Sequence, residues 1–312
     1  MISTKSTSIQ KLRRHQRGAG LIEIMVAMLL MAIMFNGLID MFLSSRATFS
    51  ATDNLSRLQE NGRTAIDVLT RGLRRSGYLG GNSDIANIRG TLGVSTSANT
   101  CIADTNVWAR MMGQGIFGLD DTRAGYACID DSYLRGDILT LRYASPWAVE
   151  TADFVDTRVY LRSSLFKGRV FLGADEADIL NDVDELPRAQ HQLLAYSYYV
   201  ADTGRTCNGA AIPGLFREAA DVNNLPVAEE LIEGVENIQF RYNVGDQYVD
   251  ADNVADWDSV LSVQLWVLVR SACAETGYSD VRTYVFGDVT PDYAPADNYR
   301  RHLYTTVVAL RN

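Results

Sequence analysis

The chain has 312 residues, 47% of them apolar and 21% charged, with a formal charge of −9. Residues 1–18 hold Lys5, Lys11, Arg13, Arg14 and Arg17 and no acid, so without them the formal charge falls to −14. Phosphate contacts need clustered positive charge, so no direct nucleic-acid binding is expected of so acidic a chain. The length suffices for one large domain or two smaller ones around a buried core.

The leader ends in Arg17-Gly18-Ala19-Gly20-Leu21-Ile22-Glu23 and runs straight into an apolar stretch. From Leu21 to Leu43, 19 of 23 residues are apolar, the exceptions being Glu23, Asn36, Gly37 and Asp40. As a helix this stretch is about 35 Å long, enough to cross a hydrocarbon layer of ~30 Å. The basic residues ahead of it place the leader in the cytoplasm and send the chain beyond Leu43 outward. An acid inside such a stretch is costly in lipid and marks a function. At Glu23 it also meets the positive end of the helix dipole.

This pattern resembles the type IV prepilin processing site. The resemblance implies a cut by prepilin peptidase between Gly18 and Ala19 and methylation of the new Ala19 amine. Glu23 becomes the fifth mature residue and sets axial register by facing the Ala19 amine of a neighbouring subunit. Ala19 stands where phenylalanine or methionine is commoner, and Gly20 where a hydroxyl residue is common. The alternative is an uncleaved signal anchor; an ordinary secretory signal is cut after its apolar run, not before it.

The helical pattern continues past the membrane. Leu55, Leu58, Gly62, Ile66, Leu69 and Leu73 fall on one amphipathic stripe, which predicts an unbroken helix to about Ser76, stopped by Gly77. Residues 19–76 are thus read as one long helix, with 21–43 transmembrane. Asn36-Gly37 marks either local unwinding or a small-residue packing contact. Arg71, Arg74 and Arg75 read as a solvated helix end favoured by the dipole, with contact to a neighbouring acidic face as the alternative.

Residues 77–136, rich in Gly, Ser, Asn and Asp, read as an irregular connecting region. Cys101, Cys128, Cys207 and Cys273 all lie on the exported side, where two disulfides are expected and three pairings are possible. Sequence proximity favours Cys101–Cys128, which leaves Cys207–Cys273; buried free thiols are the alternative. Residues 137–312 read as a β-rich head. Its strand candidates are 138–143, a hairpin of 157–161 with 169–172 around Lys167-Gly168, 194–200, 238–244, 260–269, 281–286 and 304–310. The expected fold is α+β: a pilin-like lollipop whose long helix packs on an antiparallel sheet.

Leu231-Ile232-Glu233-Gly234-Val235-Glu236-Asn237-Ile238-Gln239-Phe240-Arg241-Tyr242 resembles the short helix-into-strand segment of PilW-type minor pilins and J-type pseudopilins of type II secretion. The ending from Arg300 to Asn312 resembles the PilW terminus, and the long head favours PilW. The resemblance implies a minor pilin in a tip or priming complex with other minor pilins, the major pilin and a large tip adhesin. Motility, adhesion or DNA uptake would follow. It implies a single-pass inner-membrane protein with a periplasmic head before assembly, and a place in the pilus fibre or tip afterwards. The alternatives are a type II secretion minor pseudopilin and a membrane-anchored periplasmic ligand-binding domain.

An enzyme is not expected. His15 lies in the leader, and His191 and His302 stand far apart with no catalytic motif around them. Two acidic runs bear on cations: Asp175-Glu176-Ala177-Asp178 with Asp182, Asp184 and Glu185, and Asp250-Ala251-Asp252-Asn253 with Asp256 and Asp258. The second begins like a calcium loop but has Val254 at the fifth position and Ala255 at the turn glycine. Solvated loops and no cofactor are the preferred reading, and calcium is the alternative.

Overall fold

The structure is a computed structural model that describes residues 20–82, 84–90, 101, 108, 114–179, 188–223 and 225–310. The chain divides into two compact units, Met1–Thr52 and Asp53–Asn312. Gly18, Ala19, the rest of the leader, Asp182, Asp184 and Glu185 of the first acidic run and the final Arg311-Asn312 lie outside the described residues.

Helix α1 spans Leu21–Leu73. It passes through Asn36-Gly37 without a break, and the Asn36 amide donates to the Ala32 carbonyl at 2.9 Å. In the second unit the buried positions of α1 are Leu58, Gly62, Ala65, Leu69, Gly72 and Leu73. The predicted stripe therefore holds from Leu58 on, while Leu55 stays 45% exposed and Ala65 takes the inner place expected of Ile66. The helix ends three residues before the expected Ser76, and Gly77, at φ +74°, carries the chain away in a conformation that suits glycine.

The head holds two sheets. The first is assembled from β1 (Ile88–Gly90), β2 (Ile116–Leu119), β3 (Tyr133–Ala148), β4 (Val159–Ser164), β5 (Gly168–Leu172), β6 (Arg188–Cys207), β7 (Ala210–Ala220) and β8 (Pro226–Glu233). Its order is β1-β5-β4-β6-β3-β2, and the long β6 also pairs with β7, which in turn pairs with β8. All pairings are antiparallel except β1 with β5. A short helix α2 (Glu176–Ile179) comes after β5. The second sheet, antiparallel throughout, has the order β10-β9-β11-β12, from β9 (Val235–Val244), β10 (Gln247–Val249), β11 (Val260–Arg270) and β12 (Arg301–Ala309).

Both sheets share one core. Leu58, Ala65, Leu69 and Leu73 of α1 pack with Leu139 and Leu141 of β3, Tyr198 of β6 and Phe240, Leu265 and Val308 of the second sheet. Close approach is enabled at two helical glycines: a Cβ on Gly72 would lie 2.8 Å from Leu141, and one on Gly62 would lie 2.0 Å from the Tyr304 ring. Asn61 adds a hydrogen bond to the Glu233 carbonyl at 2.8 Å. Burying a leucine side chain contributes roughly 1.5–3 kcal/mol, so Leu58, Leu69 and Leu73 anchor the second half of α1 firmly.

Three expectations need correction. β3 begins at Tyr133, inside the region read as irregular, and that region also supplies β1 and β2. The segment 231–242 holds no helix: β8 ends at Glu233, Gly234 turns at φ +84°, and β9 begins directly after it. Pairing with β7, with Arg217 on Glu229 and Arg205 on Glu230 and Glu233, overrides the helical preference of this Glu-rich stretch. The segment 281–286 is no strand either. Its one backbone pairing is the isolated bridge of Tyr284 with Tyr293, and Val281 and Val285 stay exposed.

Candidate functional site

The start of α1 is defined by Glu23. Its carboxylate accepts a hydrogen bond from the Gly20 backbone N–H at 3.1 Å, the reach-back of an acid in the first turn toward the residue before the helix. This satisfies one of the donors that a helix start leaves without a partner. Beyond Glu23 the side chains from Ile24 to Leu43 are exposed, among them Met25, Leu29, Met34, Phe35 and Phe42. Helix α1 is long and apolar enough to cross a membrane. Polar side chains further along turn back on their own helix: Thr48 donates to the Ser44 carbonyl and Thr52 to the Thr48 carbonyl, each at 2.9 Å.

Both cysteine bridges are closed, Cys101–Cys128 and Cys207–Cys273, each with Cα atoms 5.3 Å apart. The first lies in the common core with Trp108 and Tyr126. The second joins the end of β6 to the segment after β11 and so ties the two sheets together.

That segment, 271–300, carries no strand and is held by polar contacts. Arg301 donates from Nε to Glu236 at 2.5 Å and from both terminal nitrogens to Asp297 at 2.6 and 2.7 Å. Asp280 accepts from Arg282 at 2.9 Å and from the Tyr284 hydroxyl at 2.8 Å. Arginine faces also stack on tyrosine rings, Arg270 on Tyr299 at 4.0 Å and Arg300 on Tyr278 at 4.2 Å.

The histidines have structural places. His191 is buried, and its Nδ1 bonds the Ser145 carbonyl at 2.8 Å. His302 lies exposed on β12. Arg71 pairs with Asp67 at 2.7 Å with both side chains more than half exposed, a solvated helix end. Arg74 and Arg75 border a cavity of about 710 Å³ whose walls include Tyr78, Ile116, Trp257 and Leu310.

The structure gathers acids that the sequence kept apart. Carboxylate oxygens of Asp120, Asp121 and Asp288 lie within 4.8 Å of one another. Burial, then the charges of Asp288, Asp121, Asp252 and Asp250, push the Asp120 carboxyl up to about 6. Asp137, almost fully buried, is pushed well above the usual range by burial; it accepts from the Asp121 N–H at 3.1 Å and the Phe240 N–H at 2.7 Å. Those two bonds fix the Asp120-Asp121 turn against β9. The run from Asp250, read as a solvated loop, carries an ion pair and a cap. Asp250 pairs with Arg241 at 2.7 Å, and Asp256 accepts from the Asp258 N–H at 3.1 Å as the cap of a short 3₁₀ turn. Spacing along the chain could not have paired Asp120 with Asp288, which lie 168 positions apart.

Comparison with known proteins adds three findings. The family described as Type IV Pilus-assembly protein W matches residues 197–312, from the middle of β6 to the end of the chain. The prokaryotic N-terminal methylation motif matches residues 13–35. Among solved structures, a type IV-like pilin from Thermus thermophilus is similar over 81% of this chain and 96% of that one, at 14% identity and a TM-score of 0.38. No curated protein matches the sequence. The chain is thus similar at its start to the N-terminal methylation motif and over its last 116 residues to Type IV Pilus-assembly protein W.

Proposed function

We propose that the protein works as a structural subunit that starts or caps a pilus, in a tip or priming complex with other minor pilins, the major pilin and a large adhesin. The mature chain begins at Ala19 after prepilin peptidase cuts behind Gly18. Before assembly α1 crosses the inner membrane with the head in the periplasm; afterwards the same apolar surface lies in the core of the fibre. Motility, adhesion or DNA uptake follows from the fibre.

One observation carries the reading: Glu23 sits at the N-terminal end of an apolar helix whose side chains from Ile24 to Leu43 are exposed, and its carboxylate bonds the Gly20 N–H. A carboxylate there has a use between subunits, where it accepts from the methylated Ala19 amine of its neighbour. There the carboxylate meets a full positive charge rather than a backbone N–H alone, so both partners of the bond are ionised. The experiment is Glu23→Ala in cells that make pili. Surface pili are expected to fall sharply, with the variant still cut at Gly18 and still in the membrane. Normal piliation and undiminished co-purification with the other minor pilins would remove the register role.

A further inference from the structure

We infer that the open edge of β12 docks an extended, charge-poor segment of a partner protein, which adds to the four-stranded second sheet as a further strand. The inference rests on the head alone and holds whether or not Glu23 acts between subunits.

A sheet edge is a ready-made template for pairing with another chain, and proteins usually blunt it with shortness, proline or charge. The other end strands of the two sheets are blunted in these ways. β1 and β10 are three residues long and β2 is four. β8 opens with Pro226 and carries Glu229, Glu230 and Glu233. β12 has no such guard. It runs for nine residues without proline, lysine or an acid, and its register with β11 is unbroken from Arg301 to Ala309. Arg301 puts no charge on the edge, because its side chain is buried on Glu236 and Asp297.

The ladder shows which backbone groups are open. The Leu310 N–H donates to the Leu261 carbonyl and the Ser271 N–H to the Arg300 carbonyl, both across the β11–β12 pair. Antiparallel ladders alternate, so the even-numbered residues of β12 bond β11 and the odd-numbered ones turn N–H and C=O outward. Arg282 caps the Arg301 carbonyl at 2.9 Å. Beyond it, the outward groups of Leu303, Thr305, Val307 and Ala309 have no hydrogen-bond partner among the described residues. Thr305, Val307 and Ala309 are also exposed. Such an edge takes an extended chain through main-chain bonds, and the side chains along it choose the sequence. Leu303, Thr305 and Val307 are apolar or β-branched, so cross-strand pairing favours a segment of the same kind. A second copy is the poorer occupant, because two chains of formal charge −9 repel each other.

The test uses the full chain in cells that make pili, with the photo-crosslinking residue p-benzoylphenylalanine at Val307, and at the exposed Val281 as the control. The Val307 probe should join another protein at a charge-poor segment, identified by mass spectrometry, and the Val281 probe should not. Thr305→Pro removes an outward N–H without touching the β11 ladder, as proline on an edge allows, and should cut the yield at Val307 at least about tenfold. Thr305→Val keeps the N–H and should leave the yield unchanged. If Thr305→Pro misfolds, judged by near-UV circular dichroism, Ala309→Lys sets a charge on the edge and decides in its place. Three results would overturn the inference: no adduct at Val307 beyond that at Val281, an adduct undiminished by the edge variants, or an adduct with a second copy of this chain alone. Normal piliation in Glu23→Ala would leave a Val307 adduct standing, so the two readings fail separately.

Discussion

Replacing Arg301 by methionine would remove the centre of the polar network that holds the end of the head. The side chain is 1% exposed and reaches Glu236 on β9, Asp297 and Asp280. After Arg301→Met, Asp280 keeps Arg282 and Tyr284, and Asp297 is exposed enough to be hydrated. Glu236 fares worse. Its side chain is 7% exposed and keeps only the Tyr293 hydroxyl, at 2.9 Å. One uncompensated buried carboxylate therefore sets the size of the effect, about 3–5 kcal/mol. The assay is urea unfolding of the unit from Asp53, followed by tryptophan fluorescence. Arg301→Met combined with Glu236→Gln should recover at least about 1.5 kcal/mol relative to the sum of the two single losses, because no charge is then stranded. A single-variant loss under about 1 kcal/mol, or strict additivity in the double variant, would refute the reasoning.

Cys207→Ser with Cys273→Ser opens a 66-residue loop and should cost about 4 kcal/mol by chain entropy, against about 3.5 kcal/mol for the 27-residue loop of Cys101–Cys128; denaturant midpoints of the two double variants give the order. Glu218, bonded by the Tyr199 hydroxyl at 3.1 Å, is pushed by burial from 4.5 up to about 7. The folded head thus holds its proton longer than the unfolded chain, so stability falls as pH rises from about 4.5 to about 7 and stays lower above that. Glu218→Gln should abolish that fall and gain about 2–3 kcal/mol at pH 8, with no gain at pH 4, as read from unfolding curves across pH. Gly62→Ala would drive a Cβ into the Tyr304 ring and should cost about 1–3 kcal/mol; adding Tyr304→Ala should return part of that, and pure additivity would show that the contact is not tight.

Much of the architecture was legible because it rests on local rules. The spacing of Leu58, Gly62, Leu69 and Leu73 foretold which side of α1 faces the sheets, and the apolar run 260–269 foretold β11. The hairpin around Lys167-Gly168 was legible for the same reason. Strands without an apolar pattern of their own were missed. β7 and β8 have no strong apolar alternation, and ladder pairing with the Arg217–Glu229 pair across it supplies what periodicity could not announce. Val281 and Val285 gave the opposite error, since β-branched residues suggested a strand where Asp280, Arg282 and Tyr284 are tied up in side-chain bonds. The methylation motif was legible because the spacing of Glu23 from Gly18 is a local signal. The approach of Asp120 to Asp288 was not, because only the folded head brings them together.

The stretch from 271 to 300 has almost no ladder of its own, yet the second sheet closes beneath it. Its grip is one covalent link, charged and stacked contacts, a few backbone bonds and the buried Tyr284 and Phe286. Where oxidant is scarce, a newly made head would offer this stretch as a long, cuttable flap. A protease scanning for such flaps could tell an unfinished subunit from a finished one by this strap alone.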